Sequence, residues 1–204
     1  MKNIRITVLC LGILFFSSCV SPTKITSSWQ DPGKQVNLSQ LNKVLVVGMF
    51  KSVAGRHEAE NQMVKYLGKT GVLSYNYLDD NFNRKDEVGI REKIKADGFD
   101  GAITMRLVDV DKEQGYSPGN ISITSYYPTF SEYYYKNFST YSSPGYFYTT
   151  KTFTVEINVY SIKENKIIWT AVTKTVNPGG VEKLTKSVAK MAYNKMVDDG
   201  FIRK

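Results

Sequence analysis

The only histidine of the chain is the first residue to consider for catalysis, because imidazole is the side chain used most often as a general base. His57 lies between Arg56 and Glu58 at the start of a predicted helix. A catalytic base needs a nucleophile and an orienting group within hydrogen-bond reach, and a single histidine on a helix surface is usually solvated. No pair of groups in the sequence requires an enzyme. The sequence therefore predicts a protein without catalytic residues.

Acidic residues and glycines offer two further kinds of chemistry. Asp109, Asp111 and Glu113 alternate along the end of a predicted strand, and their oxygen atoms would suit a hard cation. An EF-hand loop needs a turn glycine and a distal glutamate at fixed spacing, and this segment has neither. The segment from Gly48 to Gly55 follows an apolar strand but lacks the Gly-Lys-Ser/Thr ending of a phosphate loop. We expect solvated carboxylates here, no metal site and no cofactor.

The beginning of the chain has the pattern of a signal peptide. A short basic stretch precedes an apolar run at 6–16, and Ser17 and Ser18 then lead to Cys19. The run falls in the range of roughly 7–15 residues of a signal-peptide core and is shorter than the roughly 20 residues of a membrane-spanning helix. Small residues directly before a cysteine resemble the lipobox of bacterial lipoproteins. The resemblance implies that residues 1–18 are removed and that Cys19 carries lipid; the alternative is an ordinary secretory peptide that leaves Cys19 as a free thiol.

Lipidation would determine both location and cysteine chemistry. Cys10 leaves with the signal peptide and Cys19 carries the lipid, so no disulfide, thiol nucleophile or cysteine metal site remains. One acyl chain binds a membrane reversibly, whereas two or three hold it effectively permanently. Val20 follows the cysteine and no acidic run comes after it. By resemblance, this predicts the inner leaflet of the outer membrane, a domain that faces the periplasm, and residues 19–42 as a lipidated tether.

Composition limits the mature part to one domain and excludes a class of partner. The chain has 204 residues and a net charge of +8, of which Lys2 and Arg5 belong to the signal peptide. This length is typical of a single domain. The remaining lysines are spread along the chain without a dense block or a nucleic-acid motif. We therefore expect no nucleic-acid partner.

Hydrophobic periodicity predicts a single α+β domain over residues 43–204. A nearly continuous apolar run at 43–50 is typical of a central strand covered on both faces. The other predicted strands are 73–77, 102–110, 153–159 and 167–176, and the predicted helices are 56–69, 86–95 and 181–197. Asn165 is expected to take a positive φ in the turn that joins the last two strands. Within the core we expect Val46, Ile103 and Trp169, covered by the last helix through Leu184 and Val188.

The resulting order is β-α-β-α-β, a long insertion, then β-β-α. Right-handed crossovers would make the first three strands parallel. The last two strands would add a hairpin at one edge of a mixed sheet, in a domain of two or three layers with the final helix packed on it. Residues 115–148 form the insertion.

Motifs along most of the mature chain resemble one family. Thr26-Ser27-Ser28-Trp29, Asp31-Pro32 and the strand at 43–48, followed by residues 105–113 and Ile168-Trp169, resemble a Bacteroidetes-type family of bacterial lipoproteins with a tyrosine-rich insertion. The resemblance brings no established activity to this chain. The element order is also similar to the amino-terminal domain of the Tol-system propeller protein and to the periplasmic domain of the curli secretion lipoprotein. That similarity of fold implies a protein-interaction or assembly module and is analogy only.

The insertion is the predicted binding surface. Its candidate residues are tyrosines: Tyr126, Tyr127, Tyr133, Tyr134, Tyr135, Tyr141, Tyr146 and Tyr148. Tyrosine offers contact area and a hydroxyl at low entropy cost, which suits an envelope protein partner or the sugar rings of peptidoglycan. In the alternative interpretation, the flanks of the insertion extend the neighbouring strands and the rest packs on itself. Arg56 and Arg106 are the next candidates if the site lies elsewhere.

Overall fold

The computed structural model describes residues 23–78, 87–118, 129 and 145–203. Cys19, the signal peptide and most of the predicted insertion lie outside these ranges. The strands are β1 (Thr23–Gln30), β2 (Val36–Asn37), β3 (Val44–Met49), β4 (Gly71–Leu73), β5 (Gly101–Ser117), β6 (Tyr146–Ser161), β7 (Lys166–Val176) and β8 (Ile202–Arg203). The α-helices are α1 (Val53–Leu67), α2 (Ser74–Tyr77), α3 (Glu87–Ala96) and α4 (Val181–Asp198), and short 3-10 turns occupy Leu38–Gln40 and Gly68–Thr70.

Six strands form one mixed sheet in the order β1-β7-β6-β5-β3-β4. Strand β3 pairs in parallel with β4 and β5, as predicted for the first three strands of the sequence pattern. Strands β5, β6, β7 and β1 then pair antiparallel. Asn165 has a φ of 49° in the β6–β7 turn, which confirms the predicted hairpin. The α+β fold with a mixed sheet and a C-terminal helix is thus confirmed.

Helices cover both faces of the sheet. On one face, α1 and α4 lie side by side, with Tyr66 and Tyr193 stacked at 4.9 Å between ring centroids. The buried cluster beneath them contains the predicted core residues Val46, Ile103, Trp169, Leu184 and Val188. On the opposite face, residues of α3 and the following turn pack on β3 in a second cluster, which comprises Leu45, Ile94 and Phe99. Strand β3 is therefore covered on both faces, as its continuous apolar run predicts.

The amino-terminal strand corrects the predicted tether. Residues from Thr23 onward form β1 and pair with the outer edge of β7. An unpaired strand edge would expose a row of backbone donors and acceptors, and β1 covers this one. The Thr23 side chain is buried and hydrogen-bonds Thr175 at 2.8 Å between hydroxyl oxygens. Trp29 points outward and is 49% exposed. The folded domain thus begins by Thr23, well before residue 43.

The predicted strand at 73–77 is also wrong in part. Only β4 is strand here, and the chain then turns into the short helix α2. The Ser74 hydroxyl and the Tyr75 amide both donate hydrogen bonds to the carboxylate of Glu60 on α1. These two bonds favour a helical turn at the end of β4. A tertiary contact therefore overrides the local strand preference.

Strands β5 and β6 extend well beyond their neighbours. Strand β3 pairs with β5 only as far as Arg106, and β7 pairs with β6 only from Thr152. Residues 112–117 and 146–151 pair with each other alone, and we call this two-stranded segment the ribbon. The ends of the predicted insertion at 115–148 are therefore strand, as the alternative interpretation of its flanks held. No helix in the described ranges is long and apolar enough to span a membrane.

Candidate binding surface

The pairing register gives the ribbon two distinct faces. Tyr116 lies opposite Phe147, and Lys112 lies opposite Lys151. Side chains alternate along a strand, so these residues share the face of the buried Val155 farther along β6. Helices α1 and α4 cover that face of the sheet, and we call its continuation on the ribbon the helix-side face. Tyr146, Tyr148 and Glu113 belong to the other one, the outer face.

The helix-side face of the ribbon carries two aromatic rings near its tip and two cations near its base. Phe147 is 80% exposed, and its ring centroid lies 4.9 Å from that of Tyr116. Lys112 and Lys151 are directly opposite each other, an arrangement that is unfavourable for like charges unless an anion is near. Within the described residues, neither ammonium group forms an ion pair. This face therefore combines exposed apolar area with unneutralised positive charge.

The outer face carries two exposed tyrosines. Tyr146 is 65% exposed, and its ring centroid lies 6.5 Å from that of Tyr148. The ring of Tyr148 lies over Gly115 on the opposite strand, and a Cβ at Gly115 would collide with it. The glycine is thus required for this packing, which holds one tyrosine in place. Glu113 lies on the same face, so the outer face is aromatic and acidic.

A pocket of about 480 Å³ lies where the helix-side face meets the start of α4. Its lining consists of residues from the first part of β6, the following turn and the helix: Thr149, Lys151, Phe153, Asn177, Pro178, Gly179, Gly180, Val181 and Leu184. Asn177 connects the turn to β6 through two hydrogen bonds. Its backbone N–H donates to the Lys151 carbonyl at 2.9 Å, and its side-chain Oδ1 accepts from the Lys151 backbone N–H at 2.8 Å. The pocket is therefore an apolar hollow with a lysine at its rim.

The start of α4 adds partial positive charge to this pocket. Gly179 and Gly180 have φ values of 70° and 132°, which favour glycine, and no side chain caps the helix at Gly180. Uncapped amides at a helix start carry the positive end of the helix dipole. The first turn also contains Glu182 and the exposed Lys183. The helix start thus reinforces the charge of Lys151, with one carboxylate close by.

The structure describes only part of the predicted site. Tyr146 and Tyr148 are exposed on the outer face. The remaining candidates lie outside the described residues: Cys19, Tyr126, Tyr127, Tyr133, Tyr134, Tyr135 and Tyr141. The helix-side residues of the ribbon are not among the predicted candidates. The period-2 alternation of β6, continued from Val155 back to Phe147, is the signal that locates them.

A buried polar cluster around Glu60 lies against the segment from Gly48 to Gly55, which lacks the ending of a phosphate loop. The Glu60 carboxylate is fully buried and accepts hydrogen bonds from the Gly48 amide at 3.0 Å and the Arg56 Nε at 3.1 Å. It also accepts from the Ser74 hydroxyl at 2.7 Å and the Tyr75 amide at 3.1 Å. These four donors already have an intramolecular acceptor. Glu60 therefore has a structural role, and Arg56 is hydrogen-bonded to it.

The other chemical candidates are spread over the surface. The His57 ring lies against Tyr75, with 3.9 Å between ring centroids. Arg106 donates to Glu156 at 2.7 Å, and this bond is the main reason why the pKa of Glu156 lies below its usual range. In the described part of the chain, no three His, Cys, Asp or Glu residues cluster as metal ligands would. Asp109, Asp111 and Glu113 are exposed along β5, in line with solvated carboxylates.

Comparisons with known proteins show similarity of fold only at a low level. No protein-family model matches the chain, and no curated protein matches it. The PelC dodecamer from Paraburkholderia phytofirmans is 11% identical with a TM-score of 0.44, and the match covers 82% of this chain and 95% of that one. Lipoprotein GNA1162 from Neisseria meningitidis is 12% identical with a TM-score of 0.39, over 76% of this chain and 98% of that one. Because both scores are below 0.5, function must be argued from the surface itself.

Proposed function

We propose that this chain is a lipid-anchored envelope lipoprotein that works without catalysis, as an interaction or assembly module. In this proposal the outer face of the ribbon contacts an envelope protein partner. The observation that carries it is the pair Tyr146 and Tyr148, exposed side by side on a strand pair that extends beyond the sheet. Clustered exposed aromatic residues commonly mark contact surfaces. The proposal also rests on the lipobox-like sequence before Cys19.

The ribbon is suited to binding because its tyrosines are partly preorganised. Two paired strands fix the backbone, and the packing of Tyr148 on Gly115 restricts one ring before any partner arrives. Preorganised groups lose less conformational entropy on binding. Tyrosine adds a large contact area with only two rotatable torsions. A partner can therefore gain affinity from few residues.

Site-specific photocrosslinking tests the partner. A photoreactive amino acid placed at position 146 or 148 in cells should give an adduct with an envelope protein. The same amino acid at Lys163, which is exposed in the β6–β7 turn at the opposite end of the sheet, is the control. Substitution of the other outer-face tyrosine, Tyr148 or Tyr146, by serine should weaken the adduct. Equal adducts from position 163, or none from the ribbon, would contradict the proposal.

Peptidoglycan is the second candidate ligand, and one observation favours it. Glu113 lies on the same face as the two tyrosines, and carboxylates beside an aromatic ring can accept hydrogen bonds from sugar hydroxyls while the ring stacks on the sugar. If this alternative holds, the mature protein should sediment with purified peptidoglycan. The Tyr146→Ser/Tyr148→Ser double variant should then remain in solution. Sedimentation of both proteins alike would exclude stacking on these rings.

The lipid anchor is tested separately. Mass spectrometry of the mature protein should find an acylated Cys19 at its amino terminus. Cys19→Ser should make the protein extractable from the membrane fraction by high salt, because the mature chain then carries no acyl chain. Fractionation should place the wild-type protein in the outer membrane, facing the periplasm. An unmodified Cys19 in the mature protein would disprove the anchor.

A further inference from the structure

The amino terminus of the folded domain lies at the end of the sheet from which the ribbon extends. Thr23 pairs with Thr175, and Thr175 pairs with Phe153 on β6. Phe153 comes just after the ribbon, so Thr23 is level with the ribbon's base. The Thr23 hydroxyl donates to Ser187 of α4 at 2.7 Å, so the chain enters the domain on the helix-side face.

Chain length then relates the anchor to the ribbon. Four residue steps separate Cys19 from Thr23, which span at most about 14 Å when fully extended. Seven steps separate Phe153 from Tyr146 at the ribbon's end, and a strand of that length spans about 23 Å. The ribbon therefore reaches farther than the anchor can. A bilayer that holds lipid on Cys19 has to lie beside the ribbon, and not beyond its tip.

The helix-side face has the chemistry that a bilayer interface requires. Phe147 and Tyr116 are exposed, and aromatic rings concentrate at the level of lipid headgroups. Lys112 and Lys151 lack carboxylate partners in the described chain, and lysines are attracted to anionic lipid within a Debye length. The outer face carries Glu113 instead, so the two faces differ in charge. Only the helix-side face is complementary to an anionic surface.

We infer that the helix-side face of the ribbon, with the pocket at the start of α4, docks onto the surface of an anionic lipid bilayer. Lys112 and Lys151 contact headgroup phosphates, and Phe147 and Tyr116 enter the interface. The pocket beside Lys151 accepts a headgroup or the first methylenes of an acyl chain. This inference rests on the proposed Cys19 anchor and deepens it: the lipid holds the chain at the membrane, and the ribbon fixes its orientation. The outer face is then left free for a partner.

Vesicle flotation with protein that carries no lipid measures membrane binding by the ribbon surface independently of the anchor. The mature chain carrying Cys19→Ser is mixed with vesicles of phosphatidylglycerol and phosphatidylethanolamine, or with phosphatidylcholine vesicles alone. We expect binding to the anionic vesicles that weakens as salt is raised, and little binding to phosphatidylcholine. Lys112→Gln/Lys151→Gln should lower the partition coefficient about 20–30-fold, since each lysine near an anionic surface contributes about fivefold. Phe147→Ser should lower it further.

A charge-matched variant is the control. Lys65→Gln/Lys163→Gln removes the same charge from exposed residues at the end of the sheet far from the ribbon, and it should change partitioning less than about twofold if docking is local. Circular dichroism checks that every variant is folded. Equal losses in the two double variants would overturn the inference, because attraction would then depend on net charge alone.

Photocrosslinking from the helix-side face tests whether this face contacts lipid, another protein or a second copy of the chain. A photoreactive amino acid at position 147 in cells should give lipid adducts, whereas position 146 should give protein adducts. A protein adduct, or a second copy of this chain, at position 147 would overturn the membrane assignment. Failure of lipidation at Cys19 with intact vesicle binding would count against the anchor alone. Lipidation without vesicle binding would count against the docking surface alone.

Discussion

The Glu60 cluster and the ribbon lie at the same end of the sheet, yet they use polar groups in opposite ways. At the Glu60 cluster, a buried carboxylate receives hydrogen bonds from two backbone amides, an arginine and a serine. At the ribbon, two lysines face each other without a carboxylate, and aromatic rings are left in solvent. The first region satisfies its own chemistry, whereas the second leaves charge and apolar area for another molecule.

This difference indicates where a ligand can gain free energy. A ligand at the Glu60 cluster would have to displace hydrogen bonds that already stabilise the fold, because every buried side-chain polar atom of the described chain has a partner. A ligand at the ribbon would displace only water and would neutralise two unpaired cations. The carboxylate, arginine and serine of the Glu60 cluster are residue types that are common in active sites, but here they stabilise the fold. The proposed binding surface is made of aromatic and basic residues on paired strands.

Removing the Glu60 carboxylate should have the largest effect on stability. Glu60→Ala leaves the Nε of the partly buried Arg56, the Ser74 hydroxyl and two backbone amides without their acceptor. Breaking a buried ion pair from one side typically costs about 3–5 kcal/mol. Urea denaturation should show a loss of this size, with exposed Glu182→Ala as the control. A loss below about 1 kcal/mol, the range of exposed pairs, would mean that the cluster does not differ from the surface.

Leu184 links the ribbon pocket to the core, because it lines that pocket and belongs to the buried cluster beneath α4. Leu184→Ala should lower the free energy of unfolding by about 2–5 kcal/mol, as truncation of buried leucines usually does. Exposed Val181, which lines the same pocket, is the matched control, and Val181→Ala should cost far less. Thermal unfolding measures both. Similar small effects would show that α4 is not docked through Leu184.

Deleting residues 120–145 should separate folding from binding. Pro118 and Gly119 would then link Ser117 to Tyr146, and these residue types suit the two central positions of a tight turn. The buried core of the described residues lies outside the deletion, so the circular dichroism spectrum should change little. Capture of the partner should weaken, because six candidate tyrosines are removed and only Tyr146 and Tyr148 remain. An unfolded product would show that the segment is structural. A folded product that binds as tightly as the full chain would place all the contacts on the retained ribbon, and one that no longer binds would place them in the deleted segment.

The core could be predicted from the sequence because its signals are local. The alternation of Val155, Ile157 and Val159 and the stripe of Leu184 and Val188 on α4 each identify a buried face within a short window. Strand β1 could not be found this way. Its serines and threonines resemble a linker, and its pairing with β7 connects residues about 150 positions apart in sequence.

The candidate surface was predictable only in part for the same reason. Exposed tyrosines at 146 and 148 follow from composition, whereas the helix-side face depends on the register between β5 and β6. The opposition of Lys112 and Lys151 is a property of that register and of neither strand alone. The role of Glu60 likewise needs α1, β3 and α2 to meet. Pairing across the sheet is the information that a single sequence lacks.

A smaller effect is expected from Gly115→Ala, which sharpens the distinction between the ribbon's faces. The added Cβ would collide with the Tyr148 ring, and this ring is a movable side chain at the surface. The stability change should therefore stay within about 1 kcal/mol, as for most surface substitutions. Crosslinking from position 148 should fall, while vesicle binding through the helix-side face is retained. Loss of both activities would mean that the two faces do not act independently.

The smallest effect concerns Arg106 and Glu156, whose ion pair lies between the two regions, where β3 ends beside β5. The hydrogen bond from Arg106 is the main cause that lowers the folded-state pKa of Glu156, and the bond from Asn158 adds to it. A lowered carboxyl pKa in the folded state contributes stability above the unfolded-state pKa, and this contribution is lost as the pH falls through the folded-state pKa. Arg106→Gln should therefore destabilise the protein by less than about 1 kcal/mol at neutral pH, because Arg106 is half-exposed. The two proteins should converge in acid, and urea denaturation across that pH range measures the difference. A gap that persists in acid would show that Arg106 contributes through packing and not through its charge.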